Sequence, residues 1–115
     1  MNKALASTFL KVLNKALEKH PGQWFSPGNP DKGVIFVHNG VGFILSRYHN
    51  QFSAPTIGVY DLDERGNVKV SESISSEKEP ALYEDFSRMY NRIKDQVAQN
   101  KIHVLEESMG KLLEG

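Results

Sequence analysis

Four histidines, His20, His38, His49 and His103, are the side chains best suited to proton transfer or metal ligation in this chain. None stands at ligand spacing from another. His38 and His49 lie on one hairpin, but the strand between them separates the two by on the order of 25 Å. They cannot share an ion within one chain, and surface or hydrogen-bonded roles are expected for all four. Carboxylates are the next chemistry to consider. Asp61, Asp63 and Glu64 cluster, yet they do so at a tight turn. General acid-base work needs a desolvated cleft, which a turn at the solvent edge does not provide. Asp63 is expected to cap that turn, and Asp61 to pair across the strands with Lys69.

No serine lies in a Gly-x-Ser-x-Gly arrangement. Gly40-Val-Gly42 and the glycines between Gly22 and Gly33 lack the Lys-Ser or Lys-Thr entry into a helix that a phosphate cradle requires. The chain has no cysteine, which excludes disulfides, a catalytic thiol and thiolate zinc sites. No catalytic residue, cofactor or metal site is therefore expected, and the protein reads as a non-enzyme.

Two features point weakly to nucleic acid. Lys11, Lys15 and Lys19 recur on one helical stripe, and Arg47, Tyr48 and His49 form a basic-aromatic trio. Against them, 14 Lys plus Arg balance 14 Asp plus Glu, and the stretch from Asp61 to Asp85 is acidic. A lysine stripe is also the usual solvated face of an amphipathic helix.

The elements that must position these groups follow from periodicity. Residues 3 to 20 carry Leu5, Phe9, Val12, Leu13, Ala16 and Leu17 at helical steps, and His20-Pro21-Gly22 ends that helix. A proline-rich loop over 21 to 33 bears Trp24 and Phe25. Val34 to Tyr48 then reads as a hairpin around Asn39-Gly40, pairing Phe36 with Phe43 and Ile35 with Ile44. Both faces of this hairpin are apolar. A second hairpin pairs Thr56 to Leu62 with Asn67 to Ile74 around Asp63-Glu-Arg-Gly66. Counting from its turn sets Leu62 against Val68 and Tyr60 against Val70 on the covered face, with Ile57 and Val59 turned outward. Pro80 opens a C-terminal helix with Leu82, Phe86, Met89, Tyr90, Ile93 and Val97 on its stripe. Val104, Leu105, Met109 and Leu112 nearly continue the phase, and a break near Asn100 into a second helix is expected.

The predicted fold is α+β: an N-terminal helix, a four-stranded antiparallel meander and one or two C-terminal helices, in a single domain over 1–115. No apolar run reaches the roughly 20 residues that span a bilayer. Lys11, Lys15 and Lys19 also interrupt any signal-like core, so a soluble, cytoplasmic protein without membrane contact is expected. Two helices can cover one sheet face, leaving either Ile35, Val37, Ile44 and Tyr48 or Phe36, Phe43 and Leu45 uncovered. The leading functional expectation is a small protein-interaction module (an adaptor, chaperone-like factor or inhibitor). It would act through Trp24, Phe25, Ile35, Val37, Ile44 and Tyr48 on another protein or on a second copy in a homodimer. The alternatives are single-stranded nucleic-acid binding through Lys11, Lys15, Lys19, Arg47, Tyr48 and His49, and a small-ligand or enzymatic site near Trp24 and His49.

Overall fold

A computed structural model describes residues 1–49 and 51–115; Asn50, in the predicted link between hairpins, lies outside the described residues. Helix α1, Lys3–Lys19, starts on Asn2, whose side chain accepts from the amides of Ala4 and Leu5. His20 closes it, and Pro21–Gln23 makes one 3₁₀ turn. Five strands follow: β1 Trp24–Phe25, β2 Gly33–His38, β3 Val41–Tyr48, β4 Thr56–Leu62 and β5 Val68–Ser75. They form one antiparallel meander in the order β1-β2-β3-β4-β5. Helix α2 runs unbroken over Pro80–Glu114. Among the described residues no helix is long and apolar enough to cross a membrane.

The α+β class and the antiparallel sheet are as predicted, and the sheet gains a strand. Trp24 and Phe25, expected in a loop, pair with Phe36 and Ile35. Asn39 and Gly40 both take positive φ, 48° and 77°, so the β2-β3 turn is type I′ and the predicted register holds. In the β4-β5 turn Gly66 sits at φ 85°, while Asp63 Oδ1 accepts from the amides of Arg65 and Asn67.

Both helices lie on the same side of the sheet. The core between them holds Phe9, Leu13 and Leu17 of α1, and Phe86, Tyr90, Ile93 and Val97 of α2. From the strands it takes Trp24, Val34, Phe36, Phe43, Leu45, Ile57, Val59 and Ile74. Strand β4 is therefore turned over from its predicted orientation, while Val70, Ser71 and Ser73 of β5 keep their predicted faces. A bulge at Asp61/Leu62 leaves Lys69 unmatched, so Tyr60 opposes Ser71 and Asp61 opposes Val70. Ile57 and Val59 point into the core, and Tyr60 points out. The extra residue changes which face of β4 meets a given face of β5, so pairing counted outward from the turn fails beyond Leu62 and Val68. An inward Val70 brings Ile57 and Val59 inward with it.

Candidate interaction surface

On the side away from the helices no helix or further strand covers the sheet among the described residues. The 26–33 loop borders it, Pro27 and Lys32 lining a shallow pocket with Ile35 and Ile44. Strand pairing places Phe25, Ile35, Ile44, Tyr60 and Ser71 in one outward row across all five strands. Flanking rows contain Gly33, Ser46, Gly58 and Ser73 on one side, and Val37, Gly42, Leu62 and Val68 on the other. Tyr48, Thr56 and Ser75 end the face, where the Tyr48 hydroxyl donates to Ser73 Oγ at 3.2 Å. No Asp, Glu, Lys or Arg stands in any of these rows. An antiparallel sheet with one wet face ordinarily alternates apolar inside with polar or charged outside, and this one departs from that pattern.

The middle of the face is built tightly. A Cβ at Gly58 would lie 2.7 Å from Ser46 Oγ and 2.8 Å from the Tyr60 hydroxyl oxygen, so the Tyr60 ring is laid along the sheet over Gly58 and would have to move aside for any side chain there. Towards the rims, Phe25 is 46% exposed, Val37 51% and Tyr48 46%.

Of the residues singled out for protein contact, Phe25, Ile35, Val37, Ile44 and Tyr48 share this one face. Trp24 does not. Its alternation with Phe25 turns it inward, where it is 1% exposed with its ring centroid 5.1 Å from that of Phe36. It is a core residue, although its indole N–H finds no hydrogen-bond partner among the described residues.

The nucleic-acid set is dispersed. Arg47 and Tyr48 are neighbours in β3 and so point to opposite faces. The Arg47 guanidinium sits 4.3 Å over the Tyr90 ring and donates to Ser87 Oγ and Asn91 Oδ1, which commits it to holding α2. Lys11, Lys15 and Lys19 are exposed on α1, on the helix side of the sheet. His49 is exposed just past the end of β3.

Tertiary packing also creates a pair that sequence spacing missed. His20, capping α1, and His38, ending β2, stack with ring centroids 3.8 Å apart. They line a cleft of about 280 Å³ with Lys15, Lys19 and Phe36. No carboxylate lines that cleft to orient an imidazole. Among the described residues no three His, Asp or Glu side chains gather as a metal site needs.

Among the described residues, Asp63, Asp31 and Tyr90 have shifted ionisation. Hydrogen bonds from the Asn67 and Arg65 amides hold Asp63 below the usual carboxylate range, and Lys94 does the same for Asp31. Burial pushes the Tyr90 hydroxyl, which donates to the Pro30 carbonyl at 2.7 Å, up to about 12.

A second apolar feature adjoins the first at β1. Helix α2 crosses the sheet from the β5 side to the β1 side and then leaves it. Asn100 is the last tether, its amide donating to the carbonyls of Pro21 and Trp24 at 2.9 Å each. Beyond it, every residue from 101 to 115 is exposed. Phe25, Val97, Val104 and Leu105 line an open groove of about 530 Å³ between β1 and this projecting segment. The projection was not read from the sequence, although its apolar spacing was the signal that could have revealed it. Comparison with family models, with curated proteins and with solved structures finds no match to this chain.

Proposed function

We propose that the chain is a non-enzymatic protein-interaction module that holds another protein on the open face of its sheet. The observation that carries this reading is the composition of that face: apolar, aromatic, serine and glycine positions throughout its rows, and no charge. Protein interfaces are depleted of charge at their centre and enriched in aromatic residues there, and Phe25, Tyr48 and Tyr60 fit that pattern. An open sheet face offers breadth rather than enclosure, whereas small-molecule sites are concave and bury most of their ligand. A phosphate backbone would find no cation in these rows to replace its counterions.

The test uses a photo-crosslinking amino acid at Ile44, with Lys11 on the helix side as control. The expected result is a defined adduct with one protein from Ile44 and none from Lys11. With that protein purified, Ile44→Lys should weaken binding roughly 30-fold or more, about 2 kcal/mol, as for a central interface residue. Equal labelling from both positions, or binding indifferent to Ile44→Lys in a folded variant, would sink the proposal.

A further inference from the structure

The last third of α2 poses a separate problem. Residues 101 to 114 form about 20 Å of helix in which every residue is exposed, with only Lys101, Val104 and Leu105 bordering the groove beside β1. Isolated helices of this length are marginal in water, and Gly110 costs this one about a further 1 kcal/mol relative to alanine. Exposed apolar side chains are also concentrated here: Ile102, Leu105, Met109, Leu112 and Leu113. The first four are separated by three, four and three residues, the a/d spacing of a heptad seam. Ala98 extends the seam one step towards the body. This stripe lies about a third of a turn from the face carrying Phe86, Tyr90, Ile93 and Val97, and the body leaves it exposed, touching only the groove beside Leu105.

We infer that two copies of this chain pair through these segments as a short parallel coiled coil. Three observations select a second copy in that orientation. With β-branched Ile102 at the first a position, unbranched Met109 at the second, and Leu105 and Leu112 at d, the seam matches the isoleucine-a, leucine-d pattern of parallel pairs at three of its four positions. Lys101 falls at g and Glu106 at the following e, so each lysine faces the partner's glutamate twice over in a parallel dimer. An antiparallel pair would instead set Glu106 beside its own copy. Finally, Ile102, Leu105, Met109 and Leu112 are 48% to 81% exposed and span only two heptads, so the interface falls at the small end of specific ones and the dimer is expected to be modest in affinity. The dimer is independent of the open sheet face, and either reading can fail without the other.

The absence of cysteine makes the test clean. The full chain should sediment as a concentration-dependent monomer–dimer system, and Leu105→Asp should weaken dimerisation by about 100-fold or more. Near-ultraviolet dichroism of Trp24 should remain unchanged, showing that the body stays folded. Single-cysteine Leu112→Cys should form a disulfide-linked dimer under mild oxidation, because d positions meet their own copies only in the parallel arrangement. Glu106→Gln should weaken the dimer roughly two- to five-fold. A monomer at all concentrations, a dimer indifferent to Leu105→Asp, or one that Glu106→Gln strengthens while Leu112→Cys fails to crosslink would each overturn the inference.

Discussion

Replacing Asn100 tests whether α2 is fastened to the sheet edge by one side chain. Its amide group donates two hydrogen bonds, to the carbonyls of Pro21 and Trp24, and its Oδ1 accepts from Gln96. Asn100→Ala removes both donors and leaves two part-buried carbonyls on the short segment that carries β1. At about 1 kcal/mol per lost bond, the cost is about 2 kcal/mol. For 115 residues the unfolding entropy at the midpoint is about 0.24 kcal/mol/K, so Tm should fall by about 8 °C. Asn100→Asp provides the sharper comparison, since it conserves volume but supplies only acceptors at neutral pH. It should destabilise more than alanine does, and the gap should narrow once acid restores a proton to donate. Differential scanning calorimetry of the three proteins reads these differences directly. Aspartate as well tolerated as asparagine, or alanine within about 0.5 kcal/mol of wild type, would show that the tether does not hold the edge.

Asp63→Ala should flatten the acid limb of stability. The native carboxyl titrates below its unfolded value, so its contribution is present above the ordinary carboxylate range and lost as pH falls through the lower native value. Thermal melts of variant and wild type should therefore converge in acid and differ at neutral pH. Tyr90 carries the opposite sign: its native value near 12 exceeds the unfolded one, so its contribution is intact at neutral pH and disappears as pH rises through the native value. Ultraviolet titration should show one tyrosine ionising only with alkaline unfolding, and Tyr90→Phe should remove that late step. Phe86→Ala, which opens a void at a fully buried position, should cost about 3–5 kcal/mol in chemical denaturation.

Local chemistry was legible in the sequence, and long-range chemistry was not. Asn39-Gly40 prescribed its turn and therefore the whole β2-β3 register, because both residues tolerate positive φ and the loop length admits no other pairing. Asp63 and Gly66 marked the second turn equally well, and Pro80 marked the start of α2. The bulge at Lys69 left no comparable trace: Val70 stays inward as inferred, but it is matched with Asp61 instead of Tyr60, and so the inferred inward face of β4 is the wrong one. Strand β1 is two residues long, too short to show any period, and only its neighbours on β2 make it a strand. The break expected at Asn100 came from treating asparagine as a helix terminator, whereas its side chain is engaged with Pro21 and Trp24 instead of its own backbone. Four of the outward residues of the candidate surface, Ile35, Val37, Ile44 and Tyr48, were named from the two-faced hairpin, and Phe25 from the aromatic pair in the loop before it. Which of its two faces stays open depends on where both helices dock, and no local pattern encodes that choice.

The two surfaces argued here meet at Phe25, which ends the open row of the sheet and lines the groove against Leu105. A parallel coiled coil sets the two bodies at the same end of the helices, so it displays two open faces from one stem. Paired sites of this kind bind a repeated or dimeric partner with an effective concentration in the mM range, gaining roughly 10²- to 10⁴-fold over one site. The fold itself asks for neither surface. Ile35 and Ile44 could be threonine without opening the core, and α2 could end after Asn100 with its stripe on the sheet complete. Most of the large apolar residues that the core leaves exposed lie on these two features, Val12, Val41 and Phe52 being the exceptions. That distribution is expected of a chain whose sheet is kept for one partner and whose helix is kept for a copy of itself.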